Sequence, residues 1–178
     1  NEFCDFLGLP EGHAVALSSG TSALFMALWS LEAKNKSIAM PVYVCSSLRN
    51  AVAMSHAKEA LIDNAEDSPN ICLNELQKSN ADIAIVPHMF GLPNEIKNIK
   101  DIDIIEDCAQ SLGASIDNKK TGLVGKVGIF SFYVTKLMTS GGQGGMFVSK
   151  DKNLVDKVRD YREFDCRRDK KHRFNFQM

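Results

Sequence analysis

Two short runs, DIAIVPH at 82–88 and DIDIIED at 101–107, carry apolar β-branched residues without alternating them with polar ones. Successive strand side chains point to opposite faces, so a strand with one wet face must alternate. One that does not is covered on both faces, the condition of strands inside a parallel sheet between layers of helices. The rest of the chain fits that frame, because strand-length apolar runs take turns with helical patterns. HAVALSSG (13–20) reads as a strand entering a turn. TSALFMALWSLEAK (21–34) then places Ala23, Leu24, Ala27, Leu28 and Leu31 on one helical face. SIAMPVYVCSS and AKEALID surround a second helix at roughly 46–56, and VGIFSFY (127–133) and GGMFVSK (144–150) form a strand pair around a lysine segment. DKNLVDKVRDYREF follows as a charged amphipathic helix. The expected fold is α/β, a three-layer α/β/α arrangement with a mostly parallel sheet, in one domain without repeats or linkers.

Composition narrows the function classes. Lys plus Arg number 21 against 22 Asp plus Glu, a net charge of -1, so no global field draws the chain to nucleic acid or an anionic membrane. Any anion must be held locally. Five cysteines at irregular spacing, without a C-x-x-C pair, point to reduced thiols in a cytoplasmic setting rather than disulfides, zinc or another metal. No apolar run reaches membrane-spanning length and no signal peptide opens the chain. The basic stretch Arg167–Arg173 reads as a solvated surface or subunit contact.

Four stretches carry chemistry. In SSGTSAL (18–24), Gly20 permits a close backbone turn, Thr21 or Ser22 can cap the helix, and its first free N–H groups can hold an anion. A plain helix cap is the alternative, and the G-K-[ST] ending of a Walker loop is absent. IIEDCAQSLGA (104–114) ends a strand in Glu106 and Asp107, with Gln110 close behind. In open α/β sheets ligands bind beyond the carboxyl ends of strands. Alternation sends the two acids to opposite faces, so only one meets the site; Asp107 could instead cap a following helix. Lys136, in FSFYVTKLMTSGGQGG, is either a solvated surface group or, partly buried, an amine nucleophile suited to Schiff-base chemistry. The glycines after it read as a tight connection into the next strand rather than a phosphate nest. His88 reads as a satisfied structural histidine.

Together and in this order, SSGTSAL, VPHMFGLP, IIEDCAQSLGA, GIFSFYVTK and GGQGGMFV resemble the DegT/DnrJ-type aminotransferases, pyridoxal-phosphate enzymes of fold type I that mostly aminate nucleotide-linked keto-sugars. The resemblance implies a pyridoxal 5'-phosphate cofactor joined to Lys136 as a Schiff base, with Asp107 facing the pyridine nitrogen and Gln110 near the ring and its phenolic oxygen. Ser131, Gly20, Thr21 and Ser22 would hold the phosphate. Cys45 stands where many relatives stack an aromatic residue on the ring, and Asn175 would reach the phosphate of a neighbouring subunit, making a homodimer with shared active sites. The implied reaction moves an amino group from an amino-acid donor, glutamate by analogy, to a nucleotide-sugar substrate in polysaccharide biosynthesis. Gln143 replaces the acid of the family's G-E-G-G stretch, and Gln177 replaces a common basic residue. Lys136 argues against the dehydratase relatives, which carry histidine there. Relatives are about twice as long, so residues 1–178 are expected to be a partial large domain without the opening segment and the small carboxyl-terminal domain. A non-catalytic protein binding the cofactor or a sugar nucleotide on the same scaffold is the competing expectation. A Rossmann-type nucleotide enzyme is weakened by the lack of G-x-G-x-x-G.

Overall fold

A computed structural model describes residues 2–164 of the chain. Its centre is a seven-stranded sheet in the order β1-β9-β8-β5-β4-β2-β3. The strands are β1 (Ala14–Leu17), β2 (Ser37–Pro41), β3 (Lys58–Ile62), β4 (Ile83–Pro87), β5 (Asp103–Asp107), β8 (Val127–Ser131) and β9 (Gly145–Val148). β3, β2, β4, β5 and β8 are mutually parallel, whereas β9 pairs antiparallel with both β8 and β1. The unalternating run at 82–88 becomes β4, buried at every position, in the middle of the sheet.

Strand alternation divides the core in two. Ile83, Ile85, Ile105, Val127 and Ile129 face α2 (Gly20–Ser30), α3 (Ser46–Met54) and α5 (Lys152–Phe164). Ala84, Val86 and Ile104 face the other way, against Ile71, Leu76 of α4 (Leu73–Lys78) and Ile96. On that same face Phe130 and Val148 pack with Cys4 and Leu7 of α1 (Glu2–Leu7). Helices therefore cover both faces, as the three-layer reading requires. Phe3 of α1 stands edge-on to Phe130 and Phe132, with ring centroids 5.1 and 5.7 Å away.

The structure adds α1, α4 and a small hairpin, β6 (Ser115–Ile116) with β7 (Lys119–Lys120), to the elements expected from sequence. The hairpin turn uses Asp117 and Asn118 at φ 50° and 60°, the left-handed pair of a type I′ turn. The first long helix starts at Gly20 and stops at Ser30, short of 34, where Glu32 takes a left-handed φ of 56°. Among the described residues no helix is long and apolar enough to cross a membrane.

Candidate active site

The site lies at the carboxyl ends of β2, β4, β5 and β8, and strand parity decides which side chains reach it. On β5, Ile105 packs on the α2 side and Ile104 on the other. Asp107 shares the parity of Ile105 and lines a cleft there, whereas Glu106 turns to the opposite face. On β8, Ser131 shares the parity of Ile129 and meets the same cleft. One acid of the pair faces the site, as alternation demands, and it is Asp107. No helix follows it; the Asp107 carboxylate instead accepts the Ala109 N–H at 3.0 Å and closes a turn.

The amino end of α2 supplies the opposite wall. Its N-cap is Ser19, not Thr21 or Ser22: the Ser19 hydroxyl accepts the Ser22 N–H at 3.0 Å. The first i→i−4 bond runs from Ala23 N–H to Ser19 C=O at 3.0 Å. The Gly20 and Thr21 amides therefore precede the helical ladder at the cleft wall. No acid in the first turn offsets the positive end of the helix dipole. Gly20 is needed for proximity, because a Cβ there would lie 2.7 Å from Ser131 Cβ and 3.0 Å from its Oγ. Gly145 plays the same part behind it: a Cβ would fall 2.1 Å from the Ser19 carbonyl oxygen. Backbone amides, Thr21 and Ser131 thus line one end of the cleft, where they could hold an anion in space that a larger residue at position 20 would fill.

Lys136 comes from the turn after β8, where its N–H donates to Tyr133 C=O at 2.9 Å and a bridge from Tyr133 to Gly142 closes the loop. Its side chain is half-buried and shares the cleft with Asp107. Asp107 is 8% exposed. Burial pushes its carboxyl above the ordinary value, opposed by the Ala109 amide and by the charge of Lys136. The glycines after the lysine lead directly into β9, as a connection and not as the approach to a helix.

Cys45, at the start of α3, is exposed and lines the cleft. The Ser47 hydroxyl donates to its sulfur at 3.3 Å; that bond, the Ser47 amide and the Lys136 charge hold the thiol below its ordinary value, against burial and Asp107. Gln110 also borders the cleft, and its Oε1 accepts the Phe90 N–H at 2.9 Å, steadying a turn in which Phe90 takes φ 54°. Gln143, noted in sequence only as a departure, borders the cleft too, as do Ser19, Tyr133 and His88. Their proximity comes from the packing of loops, which no local pattern carries. Asn175 and Gln177 lie outside the described residues.

The cleft encloses about 200 Å³, below the ~300–1,000 Å³ of sites for drug-sized ligands. It has room for a small substituted ring between a carboxylate, an amine and an anion cradle. A second group of ligand-type side chains, His88, Glu106 and Cys108, lies within 4.8 Å of one another behind the sheet. Their pairing is internal: Glu106 accepts from His88 and from the amides of Gly122, Val124 and Gly125.

A parallel sheet between helical layers, with lysine and carboxylate converging at its carboxyl edge, defines the large-domain architecture of fold type I enzymes. The chain belongs to the DegT/DnrJ/EryC1/StrS aminotransferase family, whose sequence profile matches residues 1–178. It is 32% identical over 160 residues to UDP-N-acetyl-3-dehydro-alpha-D-glucosamine 3-aminotransferase of Acidithiobacillus ferrooxidans, covering 84% of this chain and 43% of that protein. Its fold matches DesV of S. venezuelae at a TM-score of 0.86 with 26% identity, over 97% of this chain and 49% of that one. It also matches the E. coli GDP-4-keto-6-deoxy-D-mannose-3-dehydratase solved with bound hydrated PLP, at a TM-score of 0.82 and 24% identity, over 90% and 45% of the two chains. The chain therefore spans somewhat under half the length of such relatives.

Proposed function

We propose that this chain is the large, cofactor-binding domain of a pyridoxal 5'-phosphate-dependent aminotransferase that moves an amino group from an amino acid, glutamate by family analogy, to a nucleotide-linked keto-sugar. The observation that carries the reading is the convergence of Asp107, Lys136 and the Gly20–Ser131 cradle on one ring-sized cleft. Bound there, the cofactor supplies an aldehyde carbon that takes up the migrating nitrogen and a ring that draws electrons from the carbon losing it. Lys136 would supply the amine that holds the cofactor's aldehyde carbon and, when free, the base that could carry a proton at the cleft. Asp107 is a buried carboxylate whose charge would be offset by a protonated ring nitrogen, which it would keep protonated. The amides of Gly20 and Thr21, with Ser131, would take the phosphate without net positive charge on the protein; Ser22, expected to join them, is absent from the cleft lining, its N–H and hydroxyl engaged by Ser19 and Ser18. Cys45, in place of an aromatic residue, and Gln110 line the cleft where they would flank the ring.

A lysine, not a histidine, at 136 favours amino transfer over dehydration. The cleft is too small for a nucleotide-linked sugar, so the sugar nucleotide would contact surfaces beyond it. Exposed apolar side chains next in the chain to cleft residues, Tyr43 beside Val44 and Leu137 beside Lys136, favour a second copy covering the site. The free cysteines Cys4, Cys45, Cys72 and Cys108 accord with a reducing, cytoplasmic setting.

Pyridoxal 5'-phosphate added to the chain is expected to give a visible absorption band that borohydride fixes on the peptide containing Lys136. Lys136→Ala is expected to abolish both band and label. Labelling of a different lysine would falsify the assignment. Conversion of the cofactor to its amino form by glutamate separates an aminotransferase from a protein that only binds.

A further inference from the structure

Glu106 is a buried carboxylate at the site's back wall to which the proposed reaction gives no part. It is 1% exposed, yet each oxygen accepts two donors. Oε2 takes His88 Nε2–H and Gly122 N–H, both at 2.9 Å; Oε1 takes Val124 N–H and Gly125 N–H, both at 2.7 Å. Burial pushes the carboxyl up, but the His88 bond and the Gly125 and Gly122 amides outweigh it and hold Glu106 below the ordinary carboxylate value. One charge thereby ties the end of β4 to β5 and to the loop that precedes β8.

His88 is also 1% exposed and is fixed from its other side. The Asn94 backbone N–H points at Nδ1 at 3.0 Å, while the Asn94 side chain donates to Pro87 C=O at 2.9 Å. Nδ1 must therefore present a lone pair, and the ring proton sits on Nε2 against Glu106. A ring protonated on both nitrogens would drive N–H against N–H. The His88 backbone N–H donates to the Asp107 carbonyl at 3.1 Å, so the backbone that carries this ring is joined to the residue that faces the cleft. An imidazolium at that position would compete for the charge of Asp107; a neutral ring leaves it to the ligand.

We propose that Glu106 and His88 are positioning residues: Glu106 locks His88 as its neutral Nε2–H tautomer, and the locked ring fixes the β5 end so that the Asp107 carboxylate is directed, and its charge available, to the ring in the cleft. The inference rests on the cofactor reading above, but its first readout does not need the cofactor. In the chain labelled with ¹⁵N-histidine and free of cofactor, the His88 signals, identified by their loss in His88→Leu, are expected to show a protonated Nε2 and an unprotonated Nδ1. In Glu106→Gln a carboxamide cannot accept from all four donors, so the Nε2–H signal is expected to shift and to exchange faster with water, while the Asn94 N–H keeps Nδ1 unprotonated. Pyridoxal 5'-phosphate affinity is expected to fall about 10–100-fold in Glu106→Gln, the loss typical when partners that orient metal ligands are removed. Should Glu106→Gln fail to fold, the His88 variants decide, because they leave the Glu106 loop bonds intact. His88→Gln, whose amide can both donate to Glu106 and accept from Asn94, is expected to bind near the wild-type level, and His88→Leu to lose a similar 10–100-fold. A doubly protonated or Nδ1–H wild-type ring, or equal cofactor affinity in His88→Leu and wild type, would overturn the proposal. A wild-type chain that shows the Nε2–H ring but binds no pyridoxal 5'-phosphate would refute the cofactor reading and leave the tautomer lock standing.

Discussion

Asp107 concentrates the electrostatics of the cleft. Its folded-state carboxyl lies above the ordinary value because burial disfavours the charge. Between the unfolded value of about 3.9 and the raised folded one, the folded chain binds more protons than the unfolded chain. Stability contributed by this group therefore falls as pH rises through that window, and the cost is complete above it. Asp107→Asn keeps the oxygen that accepts the Ala109 N–H and removes the charge. Without cofactor, the variant is expected to melt above the wild type at neutral pH. The gap should close as pH falls below the ordinary carboxylate range, as followed by thermal melts across pH, and the variant should bind pyridoxal 5'-phosphate more weakly. Glu106 runs the other way: its depressed carboxyl stabilises the fold above its unfolded value of about 4.3 and loses that contribution as pH falls through the folded one. Alternation alone showed that the two acids part; which one met the cleft depended on where α2 packed. Lys136 carried no local sign of burial beyond its neighbours, and its half-buried place comes from the Tyr133–Gly142 loop closure.

The amino end of α2 is the element on which the anion cradle depends. Ser19→Ala removes its cap, at a cost of about 1 kcal/mol, which lowers the melting temperature of a chain this size by roughly 2–4 °C. Gly20→Ala puts a methyl group 2.7 Å from Ser131 Cβ, an overpacking that costs about 1–3 kcal/mol. Both are expected to weaken binding of pyridoxal 5'-phosphate. Gly20→Ala should also abolish competition by inorganic phosphate, measured by displacement in the visible band, since the methyl group fills the cradle. Sequence located this helix but carried it to 34, past its end at Ser30, and set its cap at Thr21 or Ser22. Four hydroxyl residues flank the glycine, and only the observed φ of -161° at Ser19 marks the boundary. The six-residue helices α1 and α4 escaped sequence reading because fewer than two turns carry no full hydrophobic period. Tertiary contacts hold them, as in the stacking of Phe3 on Phe130.

At the scale of the molecule, exposed apolar side chains adjoin cleft residues in the chain, Tyr43 beside Val44 and Leu137 beside Lys136. Tyr43 is 68% and Leu137 76% exposed. The full chain is expected to behave as a dimer in light scattering coupled to size exclusion. The double substitution of Tyr43 and Leu137 by Ser is expected to yield a monomer whose melting temperature changes little, because exposed positions contribute within about ±0.5 kcal/mol to the fold; a wild-type monomer would remove the shared-site reading. Local sequence determined that this chain forms a helix-covered parallel sheet, since unalternating strands can be buried only that way, and it determined the parity that sends Asp107 and Ser131 to one face. The tertiary structure decided the strand order, the reversal of β9 and the closeness of Gly20 to Ser131. Those depend on which distant surfaces fill each other's space, a property of complementary shapes that no short stretch of chain contains.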